Sequence, residues 1–245
     1  MKNSCLNPYC IDEDRIPEHV AIIMDGNRRW ARKHRLPSYM GHWEGADVVN
    51  KILKVSADLG IKILTLYAFS TENWNRSKEE VNNLMFLLTH YLNYQKNIML
   101  ANGVKLSVIG DREPLSANLK KSILDCEQTT QYGGKIELVL ALNYGGRNDL
   151  KRAFVRMIDD CEKGVLKKED LSEKIISGYL DTCRWKDPDL LIRTSGEKRL
   201  SNFLLWQISY TEIYMTDLLW PEFNEEELRK AILDYQKRDR RVGGK

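Results

Sequence analysis

The sequence lacks the cysteine patterns that build disulfide scaffolds and zinc sites. Its 245 residues include 5 cysteines, an odd number without regular spacing, and such usage favours a reducing compartment. No apolar run approaches the ~20 residues that span a bilayer, and no secretory signal opens the chain. These absences predict a cytoplasmic protein, with any membrane contact peripheral and at the inner face of the membrane.

A strong net charge is also missing. The 38 basic residues nearly balance the 35 acidic ones, which leaves a formal net charge of +3. A basic tail, "KRDRRVGGK", is the one feature that favours nucleic acid, but such charged chain ends are usually solvated. We therefore expect no nucleic-acid partner, and any anion-binding site must be local.

The familiar phosphate-binding loops are absent as well. The chain contains neither GxxxxGK[ST] nor GxGxxG, the glycine-rich signatures of nucleotide binding. It also offers no Ser–His–Asp arrangement and no convincing Cys–His zinc set. Nucleotide chemistry is thus disfavoured, and a phosphate site would have to be built in another way.

What the sequence does contain is an alternation of short apolar runs with helical patterns. Near-continuous apolar strands separated by helices indicate a parallel sheet covered on both faces. Because no repeat, linker or composition break divides the chain, we predict a flexible arm at residues 1–17 and one α/β domain at residues 18–245. The predicted strands are His19–Met24, Ile61–Phe69, Val104–Ile109, Ile136–Leu142, Leu190–Ile192 and Thr211–Tyr214.

These strands predict a six-stranded, mainly parallel sheet flanked by helices. Gly60 and Gly103 mark helix–strand junctions, since glycine commonly ends a helix. The predicted helices are Glu44–Leu59, Lys78–Ala101, Ser116–Tyr132, Arg147–Glu162, Ser172–Leu180 and Glu225–Lys237.

Polar loops follow four of the predicted strands. They read "DGNRRW", "STENWNR", "NYGGRND" and "RTSGEKRLSN". Open parallel sheets bind ligands beyond the carboxyl ends of their strands, and a guanidinium matches phosphate oxygens with paired donors. Because arginine recurs in these loops, the pattern predicts phosphate binding along this edge of the sheet.

The first loop has two interpretations. Asp25, Gly26 and Asn27 are typical of a plain turn. However, Arg28 and Arg29 follow directly and open a helical stretch, and backbone amides at a helix start together with arginines form an anion cradle. With phosphate on the arginines, Asp25 would be free to hold a hard cation such as Mg²⁺.

The second loop and the helix before it also allow more than one interpretation. His42, in "MGHWEG", is either a structural histidine or a phosphate ligand near the same rim. Ser77 and Glu80 fit a capping box, which is a structural role. A capping box does not explain why Asn73 and Arg76 collect at a strand end, so a functional role remains for them.

The last loop and the strand after it suggest a second anion site. Arg193 and Arg199 lie in "RTSGEKRLSN", which would be unremarkable on a random surface but follows a buried strand. Glu212 lies inside the apolar stretch "YTEIYM", where burial of an acid is costly unless it is paired or bound to metal. We therefore predict that Asp25 and Glu212 share a cation.

Five motifs in order make the chain similar to the cis-prenyltransferases, from about residue 18 to the end. They are "HVAIIMDGNRRWA", "GHWEGA", "TLYAFSTENWNR", "NYGGRND" and "DLLIRTSGEKRLSNFLLWQISYTEIYMTDLLWPEF". The resemblance implies that isopentenyl diphosphate units condense onto an allylic primer, farnesyl diphosphate, each forming a cis double bond. The product would be a long-chain polyprenyl diphosphate, the undecaprenyl carrier of cell-wall synthesis.

The resemblance implies further properties of the whole protein. It predicts a homodimer, dependence on Mg²⁺, a hydrophobic tunnel for the growing chain and peripheral membrane contact for release of the product. The terminal residues Arg241 and Gly243 resemble an Arg-x-Gly motif that reaches across the dimer to the partner's isopentenyl diphosphate.

Roles for individual residues follow from the same resemblance. Asp25 and Glu212 would bind the Mg²⁺, and Asn73 would help to remove the proton. The allylic diphosphate would lie on Gly26, Asn27, Arg28, Arg29, His42 and Arg76, and the isopentenyl diphosphate on Arg193, Arg199 and Ser201. Further substrate contacts would involve Trp30, Ser38, Ser70, Thr71, Glu72, Trp74 and Leu200.

The chain departs from the family pattern at a few positions. Ser38 stands where a phosphate-binding arginine is expected, Lys198 where some members have histidine, and Arg28 where glycine is common. The rival hypothesis from another class is a non-catalytic partner subunit, because the fold also includes such proteins. The intact Asp25 and Asn73 argue against that hypothesis.

Overall fold

The computed structural model describes residues 11–239 and contains one six-stranded sheet. The strand order is β3-β4-β2-β1-β5-β6, and every pairing is parallel. The predicted strands are confirmed, and the sheet is entirely rather than mainly parallel. The strands are β1 His19–Ile23, β2 Ile63–Ser70, β3 Val104–Ile109, β4 Ile136–Tyr144, β5 Leu190–Arg193 and β6 Glu212–Met215.

The predicted helices are present, with one difference near the start of the chain. A separate short helix follows Gly26, and the next helix begins at Ser38 rather than at Glu44. Arg35, with a φ of +57°, turns the chain between them. The helices are α1 Asn27–Lys33, α2 Ser38–Leu59, α3 Lys78–Ala101, α4 Ala117–Thr130, α5 Gly146–Glu162, α6 Glu173–Tyr179 and α7 Glu225–Lys237.

The sheet separates two apolar cores. Successive residues of a strand face opposite sides of a sheet, so Val20 and Ile22 of β1 pack into a large core with residues of α2, α3, α4 and α7. Ala21 and Ile23 face a smaller core that includes Phe203. The burial of both faces explains why the strands are almost uniformly apolar.

The order of the strands places the ends of β1 and β5 side by side. From β1 the chain continues to β2 on one side, and from β5 it continues to β6 on the other. Such a reversal of direction opens a crevice at the carboxyl ends of the two strands. Asp25 follows β1, and Arg193 is the last residue of β5, so both predicted site residues lie at this crevice.

The part of the predicted arm that the structure describes is held in place. The backbone N–H of Asp12 donates to Gln236 Oε1 at 3.1 Å, and Gln236 Nε2 donates to the carbonyls of Asp12 at 2.7 Å and Arg15 at 3.1 Å. Gln236 lies on α7, so these hydrogen bonds connect Asp12 and Arg15 to that helix. The contact joins distant parts of the chain, which is why local sequence did not reveal it.

Other predictions concern the ends of the chain and the membrane. Within residues 11–239, no helix is both long and apolar enough to cross a membrane. Residues 1–10 of the predicted arm, and the terminal motif with Arg241 and Gly243, lie outside the described residues.

Candidate active site

The turn after β1 depends on a glycine. Gly26 is the N-cap residue of α1 with a φ of +109°, a conformation that side chains other than glycine rarely adopt. A Cβ on Gly26 would also lie 3.0 Å from Leu219. The glycine therefore allows the chain to reverse tightly and to start α1 at the crevice.

A second glycine brings α1 close to α2. A Cβ on Gly45 would lie only 2.4 Å from Asn27 Oδ1 and 2.8 Å from Trp220. Trp220 is buried, and its indole N–H donates to the carbonyl of Gly45 at 2.8 Å. Asn27 Oδ1 is buried and accepts no hydrogen bond from the described part of the protein, so an acceptor is held close to the crevice without a protein donor.

Asp25 lies at the centre of the first charged cluster, which we call the Asp25 cluster and which comprises Asp25, Arg29, Arg193 and Glu197. Arg193 Nη2 donates to Asp25 Oδ2 at 2.9 Å, and Arg29 Nη2 lies 3.5 Å from Asp25 Oδ1. Arg29 also lies 3.3 Å from Glu197 Oε1 and donates to the carbonyl of Ser195 at 3.0 Å. The carboxylate after β1 thus lies between two guanidinium groups.

Charge in the Asp25 cluster keeps the carboxylate ionised. Burial by itself would raise the pKa of Asp25, but the hydrogen bond from Arg193 and the positive charges of Arg193 and Arg29 outweigh it, so the pKa is lowered. Arg193 is only 3% exposed, and its Nε has no acceptor among the described residues. A buried guanidinium with an unused donor is suited to binding an anion.

The loop after β5 is built around Arg193. Its Nη1 donates to Ser201 Oγ at 2.7 Å and to the carbonyl of Arg199. Ser195 and Ser201 have φ values of +74° and +50°, which are uncommon for residues other than glycine. The loop is therefore wrapped around the guanidinium, and the exposed Arg199 forms an ion pair with Glu197 of the Asp25 cluster.

A second cluster lies between α1, α2 and α3. This Glu80 cluster comprises Arg28, His42, Arg76 and Glu80. Arg76 Nη1 donates to Glu80 Oε1 at 2.8 Å, while Arg28 Nε lies 3.7 Å and His42 Nε2 3.8 Å from the same oxygen. One carboxylate thus faces two guanidinium groups and an imidazole from three other parts of the chain.

The imidazole of His42 is neutral near pH 7. Its pKa is lowered from 6.5 to about 4, first by burial and then by the positive charge of Arg76, against the opposing effect of Glu80. His42 Nε2 has no hydrogen-bond partner among the described residues. The unused nitrogen favours a ligand role over a purely structural one.

The two neighbouring arginines of α1 belong to different clusters. Arg28 reaches the Glu80 cluster, and Arg29 reaches the Asp25 cluster. Consecutive residues of a helix do not face each other, so the two guanidinium groups diverge. Sequence analysis placed both on one diphosphate, whereas the structure places one guanidinium in each cluster.

The turn after β2, a 3-10 helix at Thr71–Asn75, is fixed by its own side chains. Asn73 Oδ1 accepts from the N–H of Ser70 at 3.1 Å, and Trp74 Nε1 donates to Asn143 Oδ1 at 2.8 Å. Glu72 accepts from Asn202 Nδ2 at 2.7 Å. The loops after β2, β4 and β5 therefore meet at the same edge of the sheet.

The first turn of α3 follows this loop. Ser77 caps α3, as predicted, with its hydroxyl accepting from the N–H of Glu80 at 3.2 Å. The carboxylate of Glu80 itself joins the Glu80 cluster, so this residue contributes both to the cap and to the candidate site.

The prediction that Asp25 and Glu212 share a cation is wrong for a single chain. The strand register aligns Glu212 with Leu190 and Leu190 with Val20, so Glu212 lies at the amino end of β6. Asp25 lies five residues beyond Val20, roughly 16 Å further along the strand direction. Glu212 Oε2 instead accepts from Arg238 Nη1 at 2.7 Å.

Residues 11–239 contain no group of three or more His, Cys, Asp or Glu side chains that could hold a metal ion. Asp25 nevertheless has the properties of a Mg²⁺ ligand, because its carboxylate is ionised and 31% exposed at the crevice. Mg²⁺ is usually held by one or two carboxylates together with substrate phosphates and water. The donor set fits Mg²⁺ that arrives with a phosphorylated substrate, and not a site built from protein ligands alone.

Some predicted residues occupy less direct positions. Trp30 lies against His34, the C-cap residue of α1, with the two rings tilted and their centroids 4.2 Å apart, and Leu200 packs against the smaller core. Ser38 lines a cavity together with Arg28 and His42. Thr71 lies against Gly145, since a Cβ on that glycine would be only 2.6 Å from the Thr71 hydroxyl oxygen.

Sequence reasoning missed two residues that connect the site. Asn202 joins three loops, because it contacts Glu72 and its carbonyl and side chain accept from the backbone N–H groups of Gly146 and Arg147 at 2.6 and 2.9 Å. Glu197 brings a second carboxylate to the Asp25 cluster. Both lie in the quoted loop motif, but only the fold shows which of its polar residues point to neighbouring loops.

An apolar cavity opens beside the Glu80 cluster. It has a volume of about 80 Å³ and lies between the sheet and helices α2 and α3. Asn27 and His42 lie in its wall, and Ala68 of β2 faces it. The cavity lining also includes Val49, Leu84, Leu87, Leu88, Tyr91 and Leu140.

The site places a charged cluster beside an apolar cavity, an arrangement suited to a ligand with a phosphorylated head and an apolar tail. Comparison with known proteins gives the family. Residues 23–243 match the family model described as "Putative undecaprenyl diphosphate synthase". The chain belongs to this prenyltransferase family, and the resemblance found in the sequence motifs is confirmed.

Similar proteins cover almost the whole chain. An isoprenyl transferase of Clostridium perfringens is 49% identical over 95% of this chain and 92% of its own. A Micrococcus luteus protein named ditrans,polycis-undecaprenyl-diphosphate synthase, (2E,6E)-farnesyl-diphosphate specific, is 47% identical over 99% of this chain and 98% of its own.

Solved structures show the same fold. Lavandulyl diphosphate synthase from Lavandula x intermedia, in complex with dimethylallyl diphosphate, has a TM-score of 0.92 and 38% identity, covering 94% of this chain and 99% of its own. A structure described as a probable undecaprenyl diphosphate synthase from Campylobacter jejuni has a TM-score of 0.77 and 33% identity, covering 92% and 98%.

Proposed function

We propose that the protein condenses isopentenyl diphosphate units onto farnesyl diphosphate and releases a long-chain polyprenyl diphosphate, the undecaprenyl carrier of cell-wall synthesis. One observation carries the proposal. An apolar cavity opens directly beside the Glu80 cluster, whose two arginines are suited to diphosphate. A polyprenyl substrate needs both environments next to each other.

The allylic substrate is assigned to the Glu80 cluster. Arg28, His42 and Arg76 converge there, and His42 and Asn27 also line the apolar cavity. A diphosphate bound to the arginines would thus place its prenyl tail in the cavity. The N–H groups at the start of α1 supply further donors, because the N-cap residue Gly26 has no side chain to cap them.

The isopentenyl diphosphate is assigned to Arg193, Arg199 and Ser201. Arg193 is fixed by Asp25 and Ser201, so it would need little rearrangement to bind a phosphate. The loop that holds Arg193 faces the start of α1, where Arg29 donates to Ser195. This contact would bring the second substrate beside the first.

Catalysis then depends on stabilising the departing diphosphate. Negative charge grows on the diphosphate as the bond between its oxygen and the allylic carbon breaks. Prepositioned guanidinium groups and amides stabilise such charge in the transition state. Mg²⁺ bound with the diphosphate would supply further positive charge, and Asp25 is the residue to hold it. Asn73, whose Oδ1 is fixed by Ser70, is assigned to assist removal of the proton.

The length of the product cannot follow from the fold alone. A lavandulyl diphosphate synthase has nearly the same fold, while the relative from Micrococcus luteus carries the name of an undecaprenyl diphosphate synthase.

The cavity that Ala68 faces is proposed as the start of the predicted tunnel. Ala68→Leu should shorten the products, and Ala101→Leu, at the exposed end of α3, is the matched control. An unchanged set of products in Ala68→Leu would contradict this lining.

The position of Glu212 supports a dimeric site. Glu212 lies on the edge strand β6, far from Asp25 of its own chain. Its partner Arg238 stands shortly before the terminal Arg241 and Gly243. We propose that Glu212 and this terminal motif complete the active site of the partner chain in a homodimer.

Mixing two inactive variants tests the shared site. Asp25→Asn chains are combined with Glu212→Gln chains, and mixed dimers are verified by differential tags. If Glu212 acts on the partner, each mixed dimer regains one complete site, and random mixing should restore about a quarter of the wild-type activity. If both residues serve their own chain, no activity returns.

The overall function has a direct test. Purified protein is incubated with farnesyl diphosphate, labelled isopentenyl diphosphate and Mg²⁺, and the products are separated by length. A ladder that ends in a long polyprenyl diphosphate is expected, and added phospholipid vesicles should speed product release at the proposed peripheral membrane contact. A protein that is inactive alone but stimulates another chain would support the rival partner-subunit hypothesis.

A further inference from the structure

Helices α2 and α3 line a second space besides the cavity described above. A second pocket of about 230 Å³ lies further along the same two helices. Its lining includes Leu53 and Ala57 of α2, Ile98 and Met99 of α3, and Val104 of β3. The remaining lining residues of the second pocket are polar: Asn50, Lys54, Gln95, Asn102 and Lys135.

The two spaces follow each other in one direction. On α2 the lining passes from Ala46 and Val49 in the first cavity to Leu53 and Ala57 in the second pocket. With a rise of about 1.5 Å per residue, Ala46 and Ala57 are roughly 17 Å apart along the helix. A chain that grows away from the Glu80 cluster would fill the first cavity and then meet the second pocket.

One hydrogen bond lies between the two spaces. Tyr91 of α3 lines the first cavity, Asn50 of α2 lines the second pocket, and Tyr91 Oη donates to Asn50 Oδ1 at 2.9 Å. Tyr91 is only 9% exposed. Burial raises its pKa, so the hydroxyl keeps its proton and remains a donor.

We propose that the hydrogen bond between Tyr91 and Asn50 is a latch that divides the product space, and that a growing polyprenyl chain must open it to extend beyond the first cavity. The proposal rests on the proposed polyprenyl diphosphate synthase function. The latch joins α2 to α3, so opening it requires these helices or the two side chains to separate. Elongation should therefore slow at the length that reaches Tyr91, and longer products should form only after that step.

The test compares the products of latch variants. Tyr91→Phe keeps the ring and removes the donor, and Asn50→Leu removes the acceptor, whereas Asn50→Asp retains an acceptor. Tyr94→Phe is the matched control, because Tyr94 lies on the same helix but is 67% exposed. Each protein receives farnesyl diphosphate and labelled isopentenyl diphosphate, and products are sized at successive times. Thermal midpoints establish that each variant is folded.

The wild type should accumulate a transient intermediate of one length. In Tyr91→Phe and Asn50→Leu that intermediate should fall severalfold relative to the final product. Asn50→Asp and Tyr94→Phe should resemble the wild type. Identical product ladders in all folded variants, with the wild type active, would overturn the latch alone. A wild type that forms no elongated product would overturn the proposed function and the latch with it.

Discussion

Two carboxylate–arginine pairs lie at opposite ends of the parallel strands. Asp25 and Arg193 meet at the carboxyl ends of β1 and β5, and Glu212 and Arg238 meet at the amino end of β6. The pairs have similar lengths, 2.9 and 2.7 Å. What differs is the surroundings, because Arg193 is almost fully buried whereas the side chain of Arg238 is 31% exposed.

The difference shows how position decides the meaning of an ion pair. Exposed ion pairs contribute little to stability. The main effect of the Glu212–Arg238 pair is therefore to fix the position of the end of α7 against β6. The Asp25–Arg193 pair lies at the crevice where the order of strands reverses, and it leaves one buried guanidinium donor without an acceptor among the described residues. Of the two pairs, only Asp25–Arg193 has the properties of a ligand site within its own chain.

Removal of the Asp25 charge is the strongest way to test this distinction. Asp25→Asn keeps the size of the side chain but removes the proposed Mg²⁺ ligand, and turnover should fall roughly hundred- to thousandfold, as when a transition-state stabilising group is lost. The fold should persist, since the side chain is partly exposed. Steady-state rates at limiting Mg²⁺ and thermal midpoints provide the measurement. Wild-type turnover in this variant would refute the assignment of the metal ligand.

Equal substitutions in the two arginines sharpen the comparison. Arg193→Lys keeps the charge but loses the fork that contacts Asp25 and Ser201, and the loss of a charged hydrogen bond should reduce use of isopentenyl diphosphate roughly ten- to hundredfold. Arg238→Lys is the matched variant at the other edge. It should change the free energy of unfolding by about 1 kcal/mol or less. If Arg238→Lys raises the KM for isopentenyl diphosphate more than Arg193→Lys does, the assignment of Arg193 to this substrate is wrong.

A smaller effect is expected where the family arginine is replaced by Ser38. Ser38 and Arg28 line the same cavity, and Arg28 lies 3.7 Å from Glu80. Arg28 is thus placed to compensate. Arg28→Ala should lower use of the allylic substrate by about tenfold, the value of a charged hydrogen bond.

The rescue experiment uses the double variant. Ser38→Arg alone should change the KM for farnesyl diphosphate little, but it should restore most of the activity that Arg28→Ala loses. Arg32→Ala is the control, because Arg32 lies on α1 and is exposed. A clear gain from Ser38→Arg in the otherwise unchanged chain would mean that Arg28 does not compensate.

The sequence predicted the positions of strands and loops well because apolar runs that end in polar loops are a local signal. Asp25 and Arg193 were placed at the same edge in this way. Their direct contact depends on strand order, which no local pattern contains. The prediction for Glu212 failed for a different reason. Glu212 lies at the start of a predicted strand, and the starts of parallel strands lie at the end of the sheet opposite Asp25, so the predicted strand already argued against a shared cation.

Side-chain direction was the other limit of sequence analysis. Arg28 and Arg29 are neighbours in sequence, yet they serve separate clusters because a helix turns between successive residues. Glu80 fitted a capping box, and its role in the charged cluster became visible only when α1, α2 and α3 were seen together. Tertiary contacts of this kind determine which polar residues share a ligand.

The smallest expected effect concerns the pH dependence of stability. The pKa of His42 is about 4 in the folded protein and near 6.5 in the unfolded chain, and that of the buried His19 is lowered likewise. The unfolded state then binds more protons, so each histidine contributes stability that is present above pH 6.5 and is lost as the pH falls toward 4. His42→Asn should reduce the loss of thermal stability between pH 6.5 and 5. His90→Asn, at an exposed position, is the control for the removal of a histidine.

Inorganic diphosphate connects this effect to the Glu80 cluster. The groups that face His42 are Arg28, Arg76 and Glu80, and diphosphate on the two arginines would place negative charge beside the imidazole. That charge favours the protonated form, so the pKa in the folded state should rise and the slope of thermal midpoint against pH should become shallower. The change should appear in the wild type and be absent in His42→Asn. An equal change in both proteins would mean that diphosphate binds away from His42, and the allylic site would have to be sought at the Asp25 cluster.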